Sequence, residues 1–472
     1  KWDEAQENYM TMSDGHHEAM AVPKTAGNLE AIGIITDALC AESYKTLVPA
    51  YYDVALKVKS TRDEQSIAMM DLVVNARVFD FGYVYDNWQG FGYTLQNMMT
   101  SGQSNFESYY AKTYPSARLH YKKIVKELSS AKYQGRGYAE DGANKAGKWI
   151  AKEFAKSGAD QVTCQPFKLD INTFPGKMEM SIDGKKQIPG VDFTLREFNP
   201  SIKGEFKLYY IDMENYNAEK IFADLATPEY EGAFVVCDFM FSYKHSADFK
   251  KMQSKKDCSN SGLIYTWEAP LKFYKAYGEV VREKPIIWVT PDFPKDAKTV
   301  KLDMENEFLN DYECFNVIAK VEGAKHDSCY VFTAHYDHLG KLGKKTYYPG
   351  AHDNASGTAA IITLAAHYAK NRPEYDMYFI AFSGEDANLR GSEWYVEHPL
   401  APLNQIKYLF NLDMIADNNP EQYCEVSNEG MKDYPEFEKI NAEKGYFKAL
   451  DRGELDANSD HYPFAVRNVP CI

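Results

Sequence analysis

Four short stretches in the last third of the sequence put imidazole and carboxylate side chains where strands should end. Apolar runs at 328–333, 376–382 and 407–412 lead into Ala334-His335-Tyr336-Asp337-His338, into Ser383-Gly384-Glu385-Asp386 and into Asp413. A fourth stretch, Gly350-Ala351-His352-Asp353-Asn354-Ala355-Ser356-Gly357, opens a helix expected over 358–370. In open α/β sheets, ligands sit outside the carboxyl ends of the strands, so all four stretches should converge on one edge. A carboxylate directly after a buried run is costly without a partner. Several carboxylates sharing one edge repel each other unless cations lie between them. That is a physical case for a metal centre. Imidazole plus carboxylate, with no thiolate, suits Zn²⁺ or Mn²⁺. One histidine per metal with a shared carboxylate suits a pair of ions about 3.5–4 Å apart, which brings the pKa of a bound water to about 7. A carboxylate free of metal must then take that water's proton.

The segments "TAHYDHLG", "PGAHDNASG", "FSGEDANLRGS", "NLDM" and "NSDHYPF" occur in this order. Together they resemble the di-zinc aminopeptidase family of the aminopeptidase S and aminopeptidase Y type, which also includes the glutamate carboxypeptidases. The segment "QGRGYAEDGANKAGKWIAKEFAKSGA" resembles the lead-in of those enzymes, so the resemblance covers about residues 115–472. It implies that His335 is the terminal ligand of one zinc and that Asp337 orients it. Asp353 would bridge the two ions, Asp386 would be a ligand, and Asp413 would bind the other metal. Glu385 would be the general base that deprotonates the bridging water and returns the proton to the leaving amine. The implied cofactor is Zn²⁺, two per site. The implied reaction is hydrolysis of the peptide bond at a free N-terminus of a peptide or protein.

In this family the last histidine ligand lies in a "YHT"-like motif well beyond "NSDHYPF". Here the sequence stops eleven residues after His461. The sequence therefore reads as a peptidase cut short, with four of five ligands. Asp460 and His461 should lie near the site, and His461 is the candidate substitute for the fifth. Alternative readings are a glutaminyl cyclase using one zinc, a receptor-like relative without ligands, and a sugar-binding protein. The retained His335, Asp353, Glu385, Asp386 and Asp413 argue against the receptor.

Other candidates read as structural. His338 and His352 are expected to be solvated loop or supporting residues, and His367 a helix residue. The pair His16-His17 reads as surface. Asn354, Ser356 and Gly357 should shape the turn and cap the helix. Arg390-Gly391-Ser392 should close a turn, and Trp88 and Phe91 read as core.

The elements that must position these residues point to an α/β fold. The expectation is a three-layer α/β/α zinc-peptidase domain with a mixed sheet and a β-rich insertion, preceded by a mainly helical segment. Residues 1–112 read as helical, with a run from Asn28 through Ile32, Ile35, Leu39 and Tyr44, and a capping box at Thr61–Glu64 before a helix over 66–76. Residues 1–110 resemble the C-terminal lobe of extracellular sugar-uptake solute-binding proteins; a docking module is the alternative. Residues 113–163 supply two lead-in helices, 115–128 and 142–157, joined by a glycine turn at 134–138. Residues 164–305 alternate short strands with turns. Helices are expected there at 218–225 and 269–277, in a domain placed where the family often carries a protease-associated domain. Residues 306–472 form the metal-binding half.

Composition bounds the rest. The 472 residues suggest two to four domains, and 44% hydrophobic with 26% charged is ordinary globular usage. A net charge of −15 argues against nucleic acid or an anionic membrane as main partner. Residues 1–112 carry 8 basic and 15 acidic residues, so nearly half of that charge sits in under a quarter of the chain. No run is long and apolar enough to span a membrane. The eight cysteines are scattered and read as mostly buried free thiols. Both resemblances are to exported proteins, so a periplasmic or extracellular setting is expected.

Overall fold

The computed structural model describes residues 11–12, 29–51, 65–69, 77–78, 116–268, 278–416, 421–445, 447 and 449–472. The chain divides into two compact units, Lys1–Pro115 and Ser116–Ile472. In the first unit the main described element is helix α1 (Leu29–Pro49). Much of the solute-binding resemblance, together with His16, His17, Trp88 and Phe91, falls outside the described residues.

The second unit holds two sheets. Helices α2 (Ser116–Leu128) and α3 (Gly142–Ser157) come first. In α3, Ala143, Ala146, Ile150 and Phe154 recur on one face and are fully buried. The helix stops at Gly158, whose φ of 89° only glycine adopts at little cost. Strand β1 (Gln161–Thr173) follows. The chain then builds an eight-stranded sheet from β2 (Met178–Ile182), β3 (Lys185–Gln187), β4 (Phe193–Leu195), β5 (Ile202–Tyr210), β6 (Phe234–Asp238), β7 (Gly262–Thr266), β8 (Ile286–Val289) and β9 (Thr299–Met304). Its order is β3-β2-β9-β5-β6-β7-β8-β4, with β5 to β8 parallel. Strand β10 (Glu307–Val321) returns antiparallel alongside β1. So β1 belongs to the metal-binding sheet rather than to the insertion expected from residue 164. The insertion leaves and re-enters through two neighbouring strands.

Helices α4 (Ala218–Leu225), α5 (Phe239–Lys244) and α6 (Ser246–Met252) cover one face of the eight-stranded sheet. The sequence reading missed α5 and α6. Their start is marked by Asp238, whose carboxylate accepts from the Phe241 amide at 2.9 Å. The helix expected over 269–277 lies outside the described residues.

The five-stranded sheet has the order β13-β11-β12-β10-β1, where β11 is Lys325–His335, β12 is Tyr375–Phe382 and β13 is Ile406–Asn411. Strands β13, β11 and β12 are parallel, and β10 and β1 are antiparallel, so the sheet is mixed as expected. Alternation sorts the core into two layers. Val317, Ala319, Phe379 and Ala381 pack under α2, α3 and α7 (Ser356–Lys370). Ile318, Val331, Ile380 and Phe382 pack against α8 (Arg390–Glu397) and the turn carrying Phe464. That is a three-layer arrangement. The cysteines are free thiols, five of them buried. No helix among the described residues is long and apolar enough to cross a membrane.

Candidate metal centre

Register brings the strand ends together. His335 closes β11 opposite Phe382 of β12, and Thr333 sits opposite Asn411 of β13. The chain runs directly from these ends into Glu385, Asp386 and Asp413. The fourth contributor is the loop 350–355, which turns into α7. Asn354 fixes that loop. Its side-chain oxygen accepts from the Gly357 amide at 2.9 Å, and its amide donates to the Leu412 carbonyl at 2.9 Å. One residue thus sets Asp353 and Asp413 relative to each other.

His335 lies at the centre, 1% exposed. Its Nδ1 lies 3.2 Å from the Asp337 carbonyl oxygen. A carbonyl only accepts, so Nδ1 carries a proton, and Nε2 faces the acids. Nε2 is 3.2 Å from Asp353 Oδ1, 3.3 Å from Asp413 Oδ1 and 3.8 Å from Glu385 Oε2. Two groups of ligand atoms gather here: His335 with Asp353 and Asp413, and His335 with Glu385 and Asp386. Ser459 steadies Asp413, its hydroxyl donating to Oδ2 at 2.7 Å.

Asp337 is fully buried, but its carboxylate holds more than the histidine. Oδ2 accepts from the Tyr138 hydroxyl at 2.8 Å, and Oδ1 accepts from the Glu385 amide at 3.2 Å. It sits 3.8 Å from His335 Nδ1, farther than its own carbonyl. Its carboxylate therefore anchors the Glu385 turn, and its backbone orients His335.

Two contributors were missed in the sequence. Arg136, read only as part of a glycine turn, is fully buried. Its guanidinium donates to the carbonyls of Tyr336, Leu128, Pro349, Gly350 and Asp353 at 2.7–3.2 Å. It thereby ties the His335 loop to the Asp353 loop. Burial lowers its pKa to about 10, opposed by Asp353, Asp337 and Asp386. The one available signal was an arginine between two glycines in a lead-in segment. The second missed residue is His338. It is 6% exposed, with Nδ1 3.4 Å from Asp386 Oδ2 and 3.6 Å from Asp353 Oδ2.

His461 does not join either ligand group. It is buried, with Nε2 3.3 Å from Glu425, and burial lowers its pKa. Asp460 is fully buried, and neither carboxylate oxygen has a hydrogen-bond partner. His352 accepts from the Ala416 amide at 3.3 Å. Arg390 starts α8, as a turn closure there predicts, and its side chain pairs with Glu279.

The electrostatics are those of a cluster needing positive charge. Burial penalises the His335 imidazolium, yet Asp413 and Glu385 outweigh it and hold its pKa well above the ordinary range. Burial also acts on Asp353, but His335 overrides it and keeps that carboxyl low. Glu385 is pushed well above the usual carboxylate range by burial, with His335 opposing and Asp386, Asp460 and Asp413 adding to the rise. Burial raises Asp386 as well, against His338. The donor set of imidazole and carboxylate fits zinc, and the buried Asp386 Oδ2 and His338 Nδ1 have no hydrogen-bond partner.

Residues 316–472 match Peptidase family M28. Among curated proteins, aminopeptidase YwaD of Bacillus subtilis is 33% identical over 152 residues, which is 31% of this chain and 32% of that protein. A probable leucine aminopeptidase of Arthroderma otae is 27% identical over 292 residues, 54% of this chain and 76% of that one. The match thus spans about a third of YwaD and three quarters of the fungal protein. Among solved structures, BSAP, a zinc aminopeptidase from Bacillus subtilis, superposes with a TM-score of 0.54 at 21% identity, covering 75% of this chain and 83% of that one. That likeness establishes the α/β fold.

Proposed function

We propose that residues 116–472 form a zinc-dependent exopeptidase of the aminopeptidase kind, acting on peptide bonds at free N-termini. The observation that carries the reading is His335 Nε2 facing Asp353 and Asp413 at 3.2 and 3.3 Å, with Glu385 beside them on the next strand end. The M28 match over residues 316–472 and the zinc and aminopeptidase names of the relatives support it. His335, Asp353 and Asp413 would hold one zinc, and Asp353 and Asp386 would share a second. Bound zinc supplies Lewis acidity, polarising the scissile carbonyl and lowering the pKa of the attacking water. Glu385 takes the proton from that water and passes it to the departing amine. Asp337 holds the Glu385 backbone, so the base keeps its place while its carboxylate cycles.

The test is hydrolysis of aminoacyl p-nitroanilides by the zinc-loaded chain and by Glu385→Gln. The variant should keep its zinc and lose roughly 10²–10⁴-fold in rate. Undiminished turnover in the variant would remove Glu385 from this role. A glutaminyl cyclase, the rival raised by sequence, would instead cyclise N-terminal glutamine and hold about one zinc.

A further inference from the structure

Tyr138 stands two residues after Arg136 in the lead-in turn, and it is buried together with Asp337. Its hydroxyl donates to Asp337 Oδ2 at 2.8 Å. The other carboxylate oxygen, Oδ1, lies between two nitrogens. It is 3.2 Å from the Glu385 amide and 3.8 Å from His335 Nδ1. Nδ1 already has the Asp337 carbonyl oxygen at 3.2 Å. Which nitrogen Oδ1 serves depends on the rotation of the carboxylate, and the hydroxyl on Oδ2 sets that rotation. A hydrogen bond to a carboxylate is among the stronger ones, and low local dielectric strengthens it further.

Tyr138 is itself held from both sides. The Gly340 amide donates to the Gly135 carbonyl at 3.0 Å and the His338 amide to the Arg136 carbonyl at 3.1 Å. A Cβ at Gly137 would overlap Gly340 Cα, so the lead-in turn and the loop after His335 meet backbone to backbone. The Ala143 amide donates to the Gly137 carbonyl at 2.7 Å, which ties the turn to α3. The Tyr138 ring meets Tyr312 edge-on at 5.7 Å, and the Tyr312 hydroxyl donates to Asp141 at 2.9 Å. The hydroxyl therefore reaches Asp337 from a fixed frame.

We propose that Tyr138 is a positioning residue for the general base, acting through Asp337 to fix the turn that carries Glu385. This rests on the peptidase reading for the role of Glu385. It goes beyond that reading by giving the lead-in segment, 199 positions from Asp337 in the sequence, a part in the reaction. Without the hydroxyl, Oδ2 becomes a buried acceptor with no donor. The carboxylate is then free to swing toward His335 and release the Glu385 amide. His335 keeps its carbonyl partner, so zinc binding changes little.

The test compares Tyr138→Phe with Tyr312→Phe, which removes a hydroxyl from the neighbouring ring that does not bond Asp337. The substrate is an aminoacyl p-nitroanilide, and bound zinc is counted for every variant. Tyr138→Phe should keep the zinc content and the KM of the wild type and lose roughly 10-fold in kcat. Tyr312→Phe should melt lower and keep its kcat. Added to Glu385→Gln, Tyr138→Phe should cause no further loss of rate, because the base it positions is gone. A lower melting temperature with unchanged kcat in Tyr138→Phe would make Tyr138 a core residue and overturn the proposal. Loss of zinc in Tyr138→Phe, or a full second loss of rate in the double variant, would also overturn it. A crystal structure of the zinc-loaded wild type covers a Tyr138→Phe that fails to fold. The hydroxyl on Oδ2 with Oδ1 on the Glu385 amide supports the proposal, and a carboxylate turned to His335 Nδ1 overturns it. Hydrolysis lost in Glu385→Gln but undiminished in Tyr138→Phe ends this proposal alone. A zinc-loaded wild type that hydrolyses nothing ends the peptidase reading and the proposal together.

Discussion

At the residue scale the centre is a set of acids made tolerable by two imidazoles, His335 and His338. Glu385 and Asp386 are adjacent in sequence but leave the strand end in different directions, toward His335 and toward His338 respectively. That divergence lets neighbours take different roles. Asp460 shows the cost of the arrangement most plainly. Burial raises its pKa to about 7, with His335 opposing and Asp337 and Asp413 adding to the rise. An unfolded aspartate titrates near 3.9. Between about pH 4 and pH 7 the folded metal-free chain therefore holds a proton that the unfolded chain has released. Stability falls as pH rises through that window and the loss is complete above it. Asp460→Asn cannot ionise, so the fall in melting temperature from pH 5 to pH 8 should shrink. Thermal melts of the metal-free proteins check this, and an unchanged fall would remove Asp460 as its source.

At the element scale the question is what holds four separate chain segments in one place. Arg136 does much of it, since five carbonyls from three segments converge on one guanidinium. Replacing it by Met keeps the volume and strands those carbonyls away from water. A loss of at least about 3 kcal/mol is expected. Zinc affinity should fall by about 10–100-fold, because an outer support of the ligand loops has gone. Urea melts and zinc titration measure the two effects; loss of stability with unchanged zinc affinity would make Arg136 a core residue only. The start of α7 gives a sharper case. Gly357 is buried, and a Cβ there would overlap the Leu412 carbonyl and the Asn354 amide. Gly357→Ala should cost about 1–3 kcal/mol by overpacking and should weaken zinc binding, because Asn354 spaces Asp353 from Asp413. Equal stability and zinc affinity in this variant would contradict that packing account.

At the scale of the whole molecule, the metal-binding sheet and the eight-stranded sheet lie in one compact unit that starts at Ser116. Leu339, Leu342 and Tyr348, from the loop after His335, pack into the core of the eight-stranded sheet. The insertion therefore braces the segment between the His335 and Asp353 loops. A chain beginning at Ser116 should fold alone and bind zinc as the full chain does. Removing zinc with a chelator should lower the melting temperature of both, and adding zinc should restore it. Binding at 100 times the dissociation constant contributes about 2.7 kcal/mol. A shortened chain that folds but no longer takes zinc would show that Lys1–Pro115 helps build the centre.

Periodicity and punctuation made much of this legible. The α3 and α4 helices, the strands carrying His335 and Phe382, and the clustering of His335, Asp353, Glu385, Asp386 and Asp413 could all be read from residue order. A strand ending in an acid is a local pattern, and parallel strands bring such ends to one edge by topology. What sequence could not supply was partnership across large separations. Arg136 reaches residues 200 and more positions away, and nothing local to a glycine turn reports that. Strand β1 reads like its successors but pairs with β10, because pairing is decided by the partner and not by the strand. His338 looked like a loop histidine because burial is a property of the folded neighbourhood. The sequence by itself determined which side chains could do the chemistry and which elements carry them. Only the tertiary structure decided which of them face one another without water, and hence which must be bound.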